Sequence, residues 1–296
     1  MYLRPFGLRE LPFSLTPDPL FFYAHPGAQA ALNTLLIALR SGEGFVKIVA
    51  EVGCGKTLLC RRLIAALAPK FETAYIPNPA MDARSMLLAV CEELEIEVEA
   101  GESSHRIVKA LKHRLLDRAR AGHGVVLIID EAQCIPDDTV EALRLMSNIE
   151  TEKRKLLQIV LFGQPELDEK LAQPHLRQLL QRITFADYIE PMQAEDVGEY
   201  VDFRLRVAGV VDRQIFSDGA IAELARRSGG IPRLVNVIAH KSMMLAYGEG
   251  AGTVTGAHVG LAADDTGALR KNRWRGPWLQ RLLAAARSGR RRIGLS

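Results

Sequence analysis

Residues 50–57 read AEVGCGKT, which has the spacing of the pattern G-x-x-x-x-G-K-[ST] with alanine in place of the first glycine. In that pattern the backbone N–H groups of a glycine-rich turn point at phosphate oxygens, and the helix that follows adds the positive end of its dipole. Gly53 and Gly55 keep such a turn open because glycine tolerates positive φ. Lys56 would reach the outer phosphates of a nucleotide, and the Thr57 hydroxyl would bind Mg²⁺.

The remaining loop residues complete this expected phosphate site. Ala50 is a mild departure, since alanine has the smallest side chain after glycine and still suits the end of a strand. Cys54 lies beside Lys56 at a helix start, a setting that lowers the pKa of a thiol, so one interpretation is a redox switch. The other, which we favour, is a small residue that only fills its position. The residues expected around the phosphates are Ala50, Glu51, Val52, Gly53, Cys54, Gly55, Lys56, Thr57 and Leu58.

Two acidic residues follow the apolar run GVVLII, in the segment GVVLIIDEA at 124–132. Packing gives no reason for carboxylates at the end of a buried strand, because removing them from water is expensive. At the carboxyl edge of a parallel sheet they would instead face the ligand crevice. Asp130 would then bind Mg²⁺, and Glu131 would orient or deprotonate an attacking water. This pair favours nucleotide hydrolysis over nucleotide storage.

Three other polar residues could meet the phosphates. Gln164 ends the apolar segment LLQIVLFGQ and could contact the γ-phosphate or the attacking water, although a loop glutamine needs no such role. Arg182 precedes the last predicted strand, as Arg177 does further upstream, and ring-forming ATPases place an arginine there that reaches a neighbour's nucleotide; a surface arginine is the alternative. Arg233 follows a Gly-Gly-Ile-Pro turn at a predicted helix start and would project onto the phosphates, unless it only caps that helix or forms a salt bridge.

Alternating strand-like and helix-like segments must position these residues. Apolar runs without polar alternation predict five strands, at 44–50, 73–77, 124–132, 156–164 and 183–190. Such strands, separated by helices, indicate a parallel sheet covered on both faces. Asp137 or Asp138 is the predicted N-cap of the helix after the acid pair. Three further helices, near 194–209, 217–228 and 232–246, predict a small helical domain after the sheet.

The composition is that of a globular protein, with 48% hydrophobic and 25% charged residues. No apolar run approaches the roughly 18 residues of a membrane-spanning helix, and the N-terminus lacks the pattern of a secretory signal. Four cysteines without C-x-x-C spacing are interpreted as reduced thiols. We therefore expect a cytoplasmic protein.

Charge is distributed unevenly along the chain. Residues 266–296 contain nine basic and no acidic residues, whereas residues 1–265 contain 29 basic and 35 acidic residues, a net charge of −6. Trp278, Leu279 and Leu282 would share one face of a basic amphipathic helix in this tail. Such a helix could lie on anionic lipid, dock in a partner protein or bind nucleic acid; a solvated, disordered end is the fourth interpretation.

Taken in order, these motifs resemble those of an AAA+ ATPase. The segments FGLRELPFSLTPDPLFFY, GEGFVKIVAEVGCGKTLLCRRLI, IIDEAQ, LFGQPEL and GIPRLVN are similar to the ExeA/GspA-type ATPases of bacterial secretion and pilus systems, and within these to ATPases of mannose-sensitive haemagglutinin (type IV) pilus biogenesis. The resemblance covers about residues 1–262. ExeA/GspA-type relatives often continue into a membrane span and a peptidoglycan-binding domain; neither pattern is found here, so we expect the shorter pilus type.

The resemblance implies an α/β fold of the P-loop NTPase (AAA+) class, with a parallel five-stranded sheet in the order 5-1-4-3-2 and a C-terminal helical lid. ATP and Mg²⁺ would bind between sheet and lid, with Phe13 and Pro17 near the adenine. The implied division is an N-terminal adenine-side segment and helix at 1–42, a nucleotide-binding core at 43–190, the lid at 191–262 and the basic tail at 263–296.

The expected function is Mg²⁺-dependent ATP hydrolysis that drives assembly of a type IV pilus or a related secretion apparatus. Arg233 would act in cis and Arg182 in trans, so a homo-oligomer is implied, with assembly proteins of the inner membrane as partners and the tail at the membrane surface. One rival is a TniB-like DNA transposition ATPase, which the acidic body disfavours. Another is a nucleotide-gated scaffold with little turnover, which Asp130 and Glu131 disfavour.

Overall fold

The computed structural model describes residues 2–16, 18–99, 101–151, 155–211 and 213–266. Its centre is a sheet of five parallel strands: β1 Phe45–Ala50, β2 Phe71–Ile76, β3 Gly124–Ile129, β4 Gln158–Gly163 and β5 Ile183–Ile189. Their order is β2-β3-β4-β1-β5. All five predicted strands are present, and the predicted order, read from the opposite edge, is confirmed.

Helices cover the sheet and form the lid. They are α1 Pro26–Arg40, α2 Lys56–Leu67, α3 Ala83–Glu93, α4 Ser104–Arg120, α5 Asp137–Met146, α6 Glu166–Leu171, α7 Arg177–Leu180, α8 Ala194–Val207, α9 Asp218–Ser228, α10 Pro232–Gly248 and α11 Gly256–Asp265. The sequence pattern does not predict α6 and α7, which are short, or α11, whose glycines and alanines give a weak apolar stripe. The N-cap of α5 is Pro136, so the predicted aspartate cap is wrong; Asp137 and Asp138 occupy the first turn, where negative charge suits the helix dipole.

Strand β3 explains the uninterrupted apolar run that precedes the acid pair. Val126 and Ile128 join an apolar cluster with residues of α1 and α2, whereas Val125, Leu127 and Ile129 join a second cluster with residues of α3, α4 and α5. All five side chains are at most 1% exposed. A strand that is buried on both faces has no polar face to alternate with.

The lid, α8 to α11, has an apolar cluster of its own, and the N-terminal segment is part of it. Tyr2, Phe6, Phe13 and Phe21 pack in the same cluster as the buried residues of the four lid helices. The described part of this segment is irregular, as predicted, apart from the 3-10 turn Pro19–Phe21. This described segment therefore packs on the lid, and α1 connects it to the sheet.

None of the helices in the described ranges has the length and apolarity needed to cross a bilayer. The predicted tail at 263–296 is described only as far as Thr266. Its predicted amphipathic helix, and the lipid, protein or nucleic acid contacts considered for it, lie outside the described residues.

Candidate functional site at the sheet–lid cleft

The loop between β1 and α2 has the geometry that its glycines allow. Gly53 and Gly55 both have φ of 88°, in the left-handed region that other residues rarely adopt. Strand β1 ends at Ala50, which is 3% exposed, so the alanine in place of the first glycine sits in regular, buried strand. Helix α2 begins at Lys56, and its free N–H groups face the loop.

Lys56 is folded across the loop and is 5% exposed. Its ammonium donates hydrogen bonds to the carbonyl oxygens of Ala50, at 2.9 Å, and of Glu51, at 3.3 Å. An ammonium group has three donors, so it retains capacity for one more acceptor. The backbone of the loop therefore holds in place the lysine that the sequence predicts to contact phosphates.

Asp130 is the first residue after β3 and is 3% exposed. Its carboxylate accepts a hydrogen bond from the Thr57 hydroxyl at 2.9 Å, one from the backbone N–H of Glu131 at 2.9 Å and a longer one from the Tyr75 hydroxyl at 3.4 Å. Burial raises the pKa of Asp130, and the hydrogen bonds from Thr57 and Glu131 oppose this only in part. A buried carboxylate beside a hydroxyl is an oxygen donor set that suits Mg²⁺, so the two residues predicted as metal ligands fit that ion.

Glu131 has φ of 50° and stands at the start of the 3-10 turn Ala132–Cys134. One of its carboxylate oxygens, Oε2, accepts hydrogen bonds from the amide of Gln164, at 2.7 Å, and from that of Gln133, at 2.5 Å. The structure thus brings Gln164, at the end of β4, to the candidate catalytic glutamate. Gln133 is a residue that sequence reasoning missed, and its only signal is its place two residues after the acid pair.

The lid reaches the loop through the turn before α10. Gly230, with φ of 73°, lies so close to the link between β5 and α8 that a Cβ on it would be 1.9 Å from the Met192 carbonyl oxygen. The backbone N–H of Arg233 donates to the Gly53 carbonyl oxygen at 3.2 Å, and a Cβ on Gly53 would lie 2.6 Å from the Arg233 Cβ. Glycine at position 230 lets this turn pack against the link between β5 and α8, and glycine at position 53 lets Arg233 approach the loop.

The groups from loop, sheet and lid line one cleft of about 300 Å³. The Arg233 side chain is exposed there and forms no hydrogen bond or ion pair with any residue in the described ranges. The lining residues are Ser14, Leu15, Thr16, Asp18, Val52, Gly53, Gly55, Lys56, Thr57, Leu58, Glu131, Tyr200, Arg204, Pro232, Arg233 and Asn236.

The two predicted adenine contacts have different outcomes. Phe13 is 2% exposed and packs edge-on against Phe216 in the lid, at a ring-centroid distance of 5.9 Å, so the structure places it away from the cleft. Pro17 lies outside the described residues. Aromatic side chains instead line a small adjoining cavity of about 40 Å³ that shares Gly55, Leu58, Tyr200, Arg204 and Pro232 with the cleft; they belong to Phe21, Phe22, Tyr23, His25 and Tyr200. The run PLFFY at 19–23 was the sequence signal for the first three of them.

Arg182 does not line the cleft of its own chain. It donates hydrogen bonds through one guanidinium nitrogen to the Arg144 carbonyl oxygen at 3.2 Å, the Ser147 hydroxyl at 2.7 Å and the Asn148 side-chain oxygen at 2.6 Å. Arg177, on α7, is exposed. The role of Arg182 at a neighbouring subunit stays a prediction.

Cys54 is 4% exposed, and burial raises the pKa of its thiol to about 11, although the nearby Lys56 ammonium lowers it somewhat. The expectation of a lowered thiol pKa is therefore wrong, because the helix start that would stabilise a thiolate is also closed to solvent. The structure favours the interpretation of Cys54 as a small, buried residue.

Comparison with known proteins agrees with this geometry. Residues 39–171 match the AAA domain family. The chain is 40% identical over 285 residues to General secretion pathway protein A of Aeromonas hydrophila, an alignment that covers 96% of this chain and 51% of that protein. The chain thus spans about half the length of this curated relative.

Two solved structures share the fold at low identity. The Aeropyrum pernix ORC2 protein has a TM-score of 0.63 and 17% identity, over 88% of this chain and 72% of that one. The Thermotoga maritima RuvB Holliday junction branch migration motor has a TM-score of 0.53 and 17% identity, over 80% and 67%. Residues 39–171 therefore match an AAA domain on a P-loop NTPase fold, within a chain that is similar to General secretion pathway protein A.

Proposed function

We propose that this chain binds ATP together with Mg²⁺ in the sheet–lid cleft and hydrolyses it. The observation that carries this proposal is the hydrogen bond between Thr57 and Asp130, with Lys56, Glu131 and Arg233 around the same cleft. These residues come from α2, the end of β3 and α10. A strand-to-helix turn with a chance Gly-Lys-Thr would not bring a buried carboxylate to the threonine.

Each residue has one part in this reaction. The loop N–H groups and Lys56 bind the phosphates, and Thr57 and Asp130 would hold Mg²⁺, which neutralises the charge that develops on the phosphate oxygens. Glu131 orients the attacking water and takes its proton. Arg233 donates hydrogen bonds to the terminal phosphate from the lid, and Gln164 acts from the sheet by donating to the Glu131 carboxylate.

Phosphate release tests the reaction directly. We expect Mg²⁺-dependent release from ATP that EDTA abolishes. The Glu131→Gln variant should bind a fluorescent ATP analogue as the wild type does, yet release phosphate about 100-fold more slowly, because a general base typically contributes about 10²–10⁴-fold. Wild-type turnover by this variant would refute the role of Glu131.

We further propose that hydrolysis drives assembly of a secretion apparatus or of a type IV pilus of the mannose-sensitive haemagglutinin kind, in the manner expected of an MshM-like ATPase. Support comes from the 40% identity to a general secretion pathway protein. Two solved structures that share the fold and were determined with DNA bound, Drosophila ORC and Aeropyrum pernix ORC1, are less than 20% identical to this chain. Pull-down from solubilised membranes with ATP-bound Glu131→Gln should recover assembly proteins, whereas Lys56→Ala should not. A mobility shift with duplex DNA instead would favour the transposition-type alternative.

The location that we propose is the cytoplasmic face of the inner membrane, with the basic tail in contact with anionic lipid. Co-sedimentation with vesicles that contain anionic lipid should recover the full chain and not a chain that ends at Asp265. Equal recovery of the two would remove the tail from this role.

Arg182 is proposed to act on the nucleotide of a neighbouring copy, which makes full turnover dependent on a homo-oligomer. Arg182→Ala should then lower turnover while leaving ATP affinity unchanged, and addition of Glu131→Gln subunits, which carry an intact Arg182, should restore part of the lost turnover. Arg177→Ala, at an exposed arginine nearby, is the matched control. If only the Arg177 change lowers turnover, the assignment to Arg182 is wrong.

A further inference from the structure

Gln133 joins Glu131 and Gln164 in a closed ring of hydrogen bonds. Its side-chain N–H donates to Glu131 Oε2 at 2.5 Å, and its side-chain oxygen accepts the backbone N–H of Gln164 at 3.1 Å. Gln164 closes the ring by donating its own side-chain N–H to the same Glu131 oxygen at 2.7 Å. Because both ends of the Gln133 amide are in use, its orientation is fixed from two sides.

The ring uses only one side of the Glu131 carboxylate. Oε2 accepts both amide N–H groups, while Oε1 accepts none from the described residues. Hydrogen bonds to an ionised acceptor are about twice as strong as neutral ones, so the two amides hold the carboxylate firmly by one oxygen. The other oxygen is left to take a proton from water.

The backbone of Glu131 also needs such support. Glu131 is one of two non-glycine residues with positive φ among the described residues. A residue in this region keeps its conformation only where the surroundings determine it, and the turn that follows, Ala132–Cys134, is only three residues long. The hydrogen bonds to Gln164, at the end of β4, support the backbone conformation of Glu131, which so short a turn cannot fix by itself.

Gln133 does not itself line the cleft, whereas Glu131 does. Any effect of Gln133 on the reaction must therefore pass through Glu131 or Gln164. We propose that Gln133 is the positioning residue of this site: it holds one oxygen of Glu131 so that the other is free for the attacking water, and it ties Glu131 to Gln164 as one unit. This inference rests on the proposed hydrolysis of ATP with Glu131 as the base.

The first test is the Gln133→Leu variant. We expect kcat for phosphate release to fall about tenfold, because loss of geometry at the base lowers the rate, and the affinity for a fluorescent ATP analogue to stay within about twofold of the wild type, because Gln133 has no place in the cleft. Gln173→Leu, at an exposed glutamine, is the matched control and should leave both values unchanged. An unchanged or increased kcat in Gln133→Leu overturns the proposal.

A double-mutant cycle separates positioning from a general structural effect. Since Gln133 acts through the Glu131 carboxylate, Gln133→Leu should lower the residual turnover of Glu131→Gln by less than about twofold. A tenfold loss in both backgrounds would mean that Gln133 acts independently of Glu131, which contradicts the proposal.

The Gln133→Glu variant keeps the size of the side chain and the acceptor for the Gln164 N–H, and it replaces the donor to Glu131 with a second carboxylate. We expect a kcat for phosphate release at or below that of Gln133→Leu and an unfolding midpoint near the wild-type value. Because this variant should fold, it tests the positioning role of Gln133 even if Gln133→Leu does not fold. Wild-type kcat in Gln133→Glu overturns the proposal. If Glu131→Gln itself turns over normally, the proposed function fails; if it does not and the Gln133 variants do, only the role of Gln133 fails.

Discussion

The two walls of the cleft are built differently. On the sheet side, Lys56 and Asp130 are 5% and 3% exposed and are held by two and three hydrogen bonds. On the lid side, Arg233 is exposed, and only its backbone N–H is engaged, at the Gly53 carbonyl. The sheet-side groups are thus held in place without a ligand, whereas we expect the Arg233 side chain to become ordered when a ligand binds.

This difference assigns distinct tasks to the two walls. A preorganised group contributes most of its interaction to binding, because little ordering remains to be done. A free group at the end of a lid helix can make its contact conditional on the ligand, so that the lid position depends on which phosphates are present. We therefore expect sheet-side changes to abolish binding and lid-side changes to alter how the protein distinguishes ATP from ADP.

The largest effect is expected for Lys56→Ala. Loss of the buried ammonium should weaken ATP binding by about 100-fold or more, since each hydrogen bond between charged groups is worth about 1.5–3 kcal/mol and about 1.4 kcal/mol is a tenfold change. Equilibrium titration with a fluorescent ATP analogue measures it, with Lys70→Ala, at an exposed lysine, as the control. An affinity within threefold of the wild type would show that the sheet side does not provide most of the affinity for ATP.

A smaller and more selective effect is expected for Arg233→Ala. The affinity for ATP should fall about tenfold and that for ADP by less than threefold, because an arginine that reaches the terminal phosphate gains a charge-assisted bond only when that phosphate is present. Arg206→Ala, elsewhere on the lid, controls for a general change in lid charge. An equal loss of affinity for ATP and ADP would show that the lid side does not distinguish the two nucleotides.

Asp130→Asn tests the sheet side without ligand. The pKa of Asp130 is raised in the folded protein. At pH values above the pKa that it has in the unfolded chain, ionisation of the carboxylate therefore lowers the free energy of unfolding, and this loss grows until the pH passes the pKa of the folded protein. The neutral amide should therefore raise the unfolding midpoint of the nucleotide-free protein at pH 7, on the order of 2–4 °C, and the gain should shrink as pH falls toward about 4. A lowered midpoint at pH 7 contradicts this. Mg²⁺-dependent turnover should be lost at the same time.

The smallest effect is expected at Cys54. With its pKa raised to about 11, the thiol stays protonated at pH 8, and it is also buried. Iodoacetamide should modify the exposed Cys134 and leave Cys54 intact, with turnover unchanged. Mass spectrometry of the treated protein identifies the alkylated cysteine, and Cys134→Ser should abolish the modification. Alkylation of Cys54 at a rate similar to that of Cys134 would mean that the loop opens freely.

Much of the site was predictable because its signals are local. The glycines at positive φ, the helix start at Lys56 and the acids after β3 each follow from a few adjacent residues. The five strands follow from their apolar runs, whereas the strand order came from the resemblance to a family. The predicted roles of Arg182 and of the tail remain predictions.

Other features could not be predicted because they join distant parts of the chain. The ring of Gln133, Glu131 and Gln164 connects residues about thirty positions apart, and one polar residue among many gives no sign of it. Phe13 and Phe21 are both apolar residues of the same segment, yet the first is enclosed by the lid and the second lines the cavity beside the cleft. Their sequence neighbours do not distinguish them.

The sequence by itself determined which reactive groups this protein brings to its cleft: a glycine-rich loop with its lysine and threonine, two acids at a strand end, and the sheet that carries them. These are set by residue type and spacing, which act over one turn or one strand. The tertiary structure alone decided the electrostatic state of Asp130 and Cys54, the closeness of the lid to Gly53 and the hold of Gln133 on Glu131. Burial and long-range hydrogen bonds arise only when distant segments pack together, and no local pattern records them.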